Sequence, residues 1–120
     1  MKRGYKKLRV IDEAKILVIM VYSVTRVFPK DELYGIVSQL RRAAVSVPTN
    51  IVEGYTRTSS KEFIQFLNIA NASLVEVEFL LELSYELDYL SKEKYEKIDS
   101  QRRKVAVYLA KFISAIKQNH

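Results

Sequence analysis

At 120 residues and 14.0 kDa the chain has material for one well-built domain and not for two. Hydrophobic residues at 48% and charged residues at 28% exclude a disordered chain, and the absence of cysteine excludes a disulfide framework and a thiolate metal site. A formal charge of +6 permits contact with a polyanion without demonstrating it.

The first nine residues carry Lys2, Arg3, Lys6, Lys7 and Arg9 and no acid. The apolar run that follows, Ile16 to Val21, is far shorter than the roughly 20 residues of a bilayer span, and Asp12, Glu13 and Lys15 precede it. The reading is a cytoplasmic protein with no membrane span. Val10, Ala14, Leu17, Val21, Val24 and Phe28 keep the alternating four-three spacing of a bundle seam, which predicts helix one over about 8–27. Pro29 ends that pattern, and Asp31 is placed to cap the next helix.

Helix two is expected over about 32–53, with Leu33, Ile36, Leu40, Ala43, Val47 and Ile51 on one face. Pro48 falls inside it. A proline there removes the donor for the carbonyl of Ala44, so the helix is either kinked and continuous or broken into two. Ser46 and Thr49 are placed to cover the freed backbone groups. Gly54 suits a helix C-terminus and Tyr55 to Ser60 a surface loop, while Ser59 and Glu62 form a capping-box pattern ahead of Phe63.

Helix three, about 60–88, offers two apolar rows. Phe63, Leu67, Ala70, Leu74, Val77 and Leu81 form one; Phe66, Ile69, Leu80, Leu83, Leu87 and Leu90 form the other, with Phe79 outside both. That width exceeds one seam and predicts a subunit interface. From Glu62 to Ser91 there are six acids and no Lys or Arg, so the rest of the chain holds all 20 basic residues against 8 acids. Helix four, about 92–117, starts after Ser91 as N-cap. Its seam is Tyr95, Ile98, Val105, Leu109, Phe112 and Ile116, interrupted by Arg102. Four helices with short connections predict an all-α, antiparallel up-down-up-down four-helix bundle spanning 1–120 as one domain.

No glycine-rich phosphate loop, metal-binding HExxH or nucleophile elbow is present, and the single His is the terminal His120. Glu76, Glu78, Glu82 and Glu86 lack the Glu-x-x-His partner of bundle metal sites. The chain is therefore read as a non-enzyme with no cofactor. Candidate polyanion contacts are the N-terminal bases, including Lys6, Lys7 and Arg9; Arg41, Arg42, Arg57 and Lys61 around helix two; and Arg102, Arg103, Lys104 and Lys111 on helix four. Tyr22, Tyr34, Tyr55 and Tyr108 lie near bases and are suited to stacking where exposed. Glu53 is placed to pair with Arg41, Arg42 or Arg57, and adjacency turns Arg41 and Arg42 about 100° apart on a helix.

The run from Phe28 to Ser91 carries FPK, YG, SQLRRAAVS with Pro48, NI-x-EG (Asn50, Ile51, Glu53, Gly54), Ser-Lys-Glu-Phe, FL-x-IA and a serine followed by alternating glutamates. It resembles the four-helix-bundle proteins encoded in intervening sequences of bacterial large-subunit ribosomal RNA genes, sometimes labelled ribosomal proteins. That family often has a Trp in its first helix, where this chain has none. The resemblance implies an antiparallel bundle, commonly assembled as a homo-oligomer of five, with Pro48, Asn50, Glu53 and Gly54 as structural motif residues. A more distant similarity, to accessory proteins of diversity-generating retroelements, implies a bundle ring that contacts nucleic acid and a reverse transcriptase. Two functions compete: binding of RNA or other nucleic acid through basic surfaces, and a scaffold that recruits a protein partner. Membrane-surface binding by Met1 to Val10 is third.

Overall fold

The computed structural model describes residues 8–118 and is a four-helix bundle without strands among them. Helix α1 spans Arg9–Thr25, α2 Ser38–Tyr55, α3 Ser60–Glu86 and α4 Lys92–Gln118. Each helix packs on its neighbours in the order α1, α2, α3, α4 and back to α1, so α1 and α3 face each other across one diagonal and α2 and α4 across the other. Short connections between adjacent helices make the arrangement antiparallel.

The seams form the core as their spacing requires. Ala14, Leu17, Val21, Leu40, Val47, Ile51, Leu67, Leu74, Val77, Leu81, Ile98, Val105 and Leu109 are buried. The first row of α3 is thus the core row. The second is split: Leu80 and Leu90 are buried, while Ile69 and Leu87 are exposed, as are Val75 and Phe79 beside them. By length and hydropathy Ser60–Glu86 would also fit a membrane span, but its buried row belongs to the core and Glu76, Glu78 and Glu82 stand exposed on it.

Three expectations are corrected at the ends of α2. The α-helix starts at Ser38, after a tight turn at Lys30–Glu32 and a wide turn at Leu33–Val37, and Leu33 is exposed instead of core. Glu32, not Asp31, does the capping. Its Oε1 accepts the Ile36 N–H at 3.4 Å, and its Oε2 accepts the Tyr89 hydroxyl at 2.7 Å, tying the start of helix two to the end of α3. That bond, with burial and the nearby charges of Glu32 and Asp31, holds the Tyr89 hydroxyl above the ordinary tyrosine pKa. Gly54, finally, lies within the helix at ordinary negative φ and is not a left-handed cap. A Cβ there would meet Phe63 Cδ1 and the Cβ of Phe66, each at 2.8 Å, so glycine permits the close approach of α2 and α3.

Pro48 leaves α2 continuous from Ser38 to Tyr55, the first of the two alternatives. Thr49 Oγ1 donates to the Val45 carbonyl at 2.7 Å and Asn50 Nδ2 to the Ser46 carbonyl at 2.8 Å, supporting the turn beside the missing bond. Ser46 Oγ also accepts from Asn50 Nδ2 and from Ser73 Oγ, the latter at 2.8 Å across to α3. Serines cap α3 and α4 as expected: Ser59 Oγ accepts the Glu62 N–H and Ser91 Oγ the Lys94 N–H. Helix α3 ends on Asp88 at φ 64, with the Tyr89 N–H bonded to the Ser84 carbonyl and the Asp88 N–H to that of Tyr85. That paired bonding is the usual helix-ending turn with aspartate in the place of glycine.

Candidate nucleic-acid interface

Among the described residues, Arg9, Arg57, Arg102, Arg103 and Lys104 have acidic partners, and of these Arg102 alone is largely buried. On α4, Asp99 is the hub: Arg102 Nε donates to its Oδ1 and Arg103 Nη1 to its Oδ2, both at 2.8 Å. The Arg102 side chain is only 11% exposed and reaches across to Glu78 of α3 at 3.7 Å, so the base interrupting the α4 seam is an inter-helix clamp. Burial and the charges of Asp99 and Glu82 raise the pKa of the Tyr95 hydroxyl in the same field, and its ring stacks on that of Tyr85 with centroids 4.7 Å apart. Between α1 and α4, buried Glu13 accepts from Gln101 Nε2 at 2.8 Å and draws in Lys104 at 3.8 Å and Arg9 at 3.7 Å. Arg9 also covers the Tyr108 ring.

Around the loop after α2, Arg57 pairs with Glu53 at 3.5 Å and lies 4.5 Å from the centre of the Phe66 ring. Of the three arginines expected to compete for Glu53, Arg57 is the one that meets it. Glu53 also lines an open groove of about 570 Å³ between α1 and α2, together with Pro48, Asp12 and Lys15. Its charges are mixed, and nothing in it selects one sign of ligand.

Arg41 and Arg42, like Lys61 and Lys111, differ from these paired bases. Arg42 is exposed, and no acid pairs with either residue among the described residues. Arg41 is half-buried and held without an acid: its Nε donates to Thr25 Oγ1 at 3.0 Å and its guanidinium lies 4.6 Å from the centre of the Tyr22 ring. The Thr25 hydroxyl is oriented in turn, since it donates to the Val21 carbonyl at 2.8 Å. Both arginines line a depression of about 400 Å³ whose other walls are Tyr22, Val45, Ser46, Thr49 and Asn50, none of them acidic. Lys61 and Lys111 are exposed elsewhere on the surface. Lys6 and Lys7 lie outside the described residues.

Of the four tyrosines singled out for stacking, Tyr22 is the one at the unpaired arginines. Tyr55 packs edge-on against Phe63, Tyr108 sits under Arg9, and Tyr34 is exposed on the wide turn before α2. Sequence reasoning missed Thr25, Glu13 and Asp99. For the two acids a signal was present: Arg9 with Glu13, Asp99 with Arg102 and Asp99 with Arg103 all stand at helical three- or four-residue spacing. Thr25 has none, because Arg41 reaches it from another helix.

Residues 6–111 match the family model described as 23S rRNA-intervening sequence protein. Among curated proteins none matches the chain. A crystal structure of a protein of unknown function from the S23 ribosomal protein family of Bacteroides thetaiotaomicron VPI-5482 is similar, with 26% identity and a TM-score of 0.79 over 88% of this chain and 95% of that one. The match over most of the sequence, on a bundle of the same architecture, places this chain in the family of 23S rRNA-intervening sequence proteins.

Proposed function

We propose that the protein is a non-catalytic, self-associating bundle that binds nucleic acid, RNA in the first instance, through the outer face of α2. The observation that carries this reading is the charge balance: Arg9, Arg57, Arg102, Arg103 and Lys104 have acidic partners, whereas Arg41 and Arg42 stand side by side without one. An uncompensated pair on a rigid helix attracts a polyanion, and binding would release the counterions condensed on it. The test is anisotropy of labelled structured RNA, with a duplex DNA of equal length beside it, at low and near-physiological salt. Binding that prefers one polymer and persists at physiological salt is expected. Equal binding to both polymers that disappears with salt, or no binding at all, overturns the reading.

Self-association, and the alternative reading as a protein scaffold, draw on a separate observation. Ile16 and Ile19 of α1 and Val75 and Phe79 of α3 are exposed apolar residues on diagonally opposite corners. Two different patches on opposite sides suit a head-to-tail contact, which closes into a ring when the rotation permits. Such a ring would repeat the α2 face around its circumference, and several weak phosphate contacts on one RNA would then act together.

A further inference from the structure

We infer that the depression between Tyr22 of α1 and Arg42 of α2 is a phosphate subsite, in which Arg41 and Arg42 together grip one phosphate of a polynucleotide backbone and Thr25 and Tyr22 are positioning residues for Arg41. This rests on the nucleic-acid reading above and adds to it the atoms that make the contact. A guanidinium carries five N–H donors in a rigid fork, and here one of them, Nε–H, is used on Thr25 Oγ1. The planar group lies 4.6 Å from the Tyr22 ring centre, which fixes its orientation while leaving the Nη edge for a planar, two-point contact with phosphate oxygens.

Arg41 is therefore ordered before any ligand arrives. A surface arginine normally loses rotamer freedom on forming such a contact, and here part of that ordering is already done by α1. Arg42 supplies the second charge from the exposed side of the same wall, one residue on and about 100° around the helix. Thr49 and Asn50, one and two residues past Pro48, complete a polar rim. No acid lines this depression; Glu76 of α3 borders Arg42 in a separate depression toward α3. The groove on the other side of Pro48, by contrast, includes Asp12 and Glu53.

Charge and positioning leave different signatures, and that separates them. The measurement is RNA affinity over a range of salt for Arg41→Gln, Arg42→Gln, Thr25→Val and Tyr22→Leu, with Arg103→Gln, whose charge already belongs to Asp99, as reference. Arg41→Gln and Arg42→Gln are each expected to weaken binding about tenfold and to lower the slope of log affinity against log salt by about one. Thr25→Val and Tyr22→Leu should weaken binding while leaving the slope unchanged, because the charge remains and only its placement is lost. Thermal melts accompany each variant, and Arg42→Gln, at an exposed position, carries the test should a variant of half-buried Arg41 fail to fold.

If wild type binds RNA but both glutamine variants behave like Arg103→Gln, the subsite and the α2 face are wrong, while RNA binding by another surface stands. If wild type binds neither RNA nor DNA, titration with tripolyphosphate followed by arginine side-chain NMR decides. Shifts confined to the Arg41 and Arg42 groups keep the phosphate subsite and discard the polymer. Shifts spread over all arginines, or none, overturn both.

Discussion

The molecule contains the dipeptide Arg-Arg twice, and the two copies meet opposite fates. On α4, Arg102 and Arg103 share the carboxylate of Asp99 and one of them is drawn into the bundle. On α2, Arg41 and Arg42 have no acid, and the first is held by a threonine and an aromatic ring. The difference comes down to one residue at the same offset: three before Arg102 stands Asp99, and three before Arg41 stands Ser38. Because acids three and four residues ahead of a base share its helix face, that single choice sorts a structural pair from an available one. Net charge counts both pairs alike, which is why it is a poor guide to a binding surface.

The two helices also meet α3 differently: α4 through the ion pair of Arg102 with Glu78, and α2 through bare backbone at Gly54. Removing the first contact should have the largest effect. Arg102→Ala strips the inter-helix partner from Glu78 and leaves Asp99, itself 12% exposed, with only Arg103. Breaking a largely buried pair from one side costs about 3 kcal/mol, and urea denaturation should show it. Arg103→Ala, at a side chain 63% exposed, should cost under about 1 kcal/mol. Equal costs would mean that Arg102 is no more structural than exposed Arg103, and that α4 holds no inter-helix clamp.

The α2 contact should respond less, because two effects oppose each other. Gly54→Ala gains up to about 1 kcal/mol of helix propensity, yet its methyl would stand 2.8 Å from the Cβ of Phe66, an atom that moves only with the α3 backbone. Overpacking of this kind costs about 1 to 3 kcal/mol, so a net loss of about 1 kcal/mol is expected in the same denaturation experiment. A gain in stability would show that α2 and α3 separate easily, and that the position of Arg41 against α1 does not depend on tight packing behind it.

Four helices, their seams and the serine caps at Ser59 and Ser91 were legible because they are local: periodicity and capping act within one or two turns. Even the polar break in the α4 seam was visible as Arg102. The errors share a different origin. Asp31 and Glu32 are equivalent as cap candidates until Tyr89, arriving from the far end of α3, selects Glu32. Gly54 resembles a helix stop until Phe63 and Phe66 are packed on it. The long list of candidate cations shrinks for the same reason, since Glu78 and Glu13 reach Arg102 and Lys104 only once the helices are side by side. Of the candidate site, Arg41, Arg42 and Tyr22 were readable as residue types, but Thr25, which orients Arg41, was not.

The sharpest way to merge the two arginine pairs is to give α2 the acid that α4 already has. Ser38→Asp places a carboxylate three residues before Arg41 and four before Arg42, the spacings at which Asp99 holds Arg102 and Arg103. Stability should change little and upward, by about 0.5 kcal/mol, because the new carboxylate gains a pair at helical spacing and sits in the first turn of α2, where the helix dipole favours negative charge. RNA affinity should fall by at least as much as in Arg42→Gln, since the substitution neutralises the pair without removing either base. Ser38→Asn, similar in size and uncharged, should leave affinity near wild type and so separates charge from shape. If Ser38→Asp binds RNA as tightly as wild type, the arginines of α2 are as little involved as those of α4, and the asymmetry between the two pairs is one of packing alone.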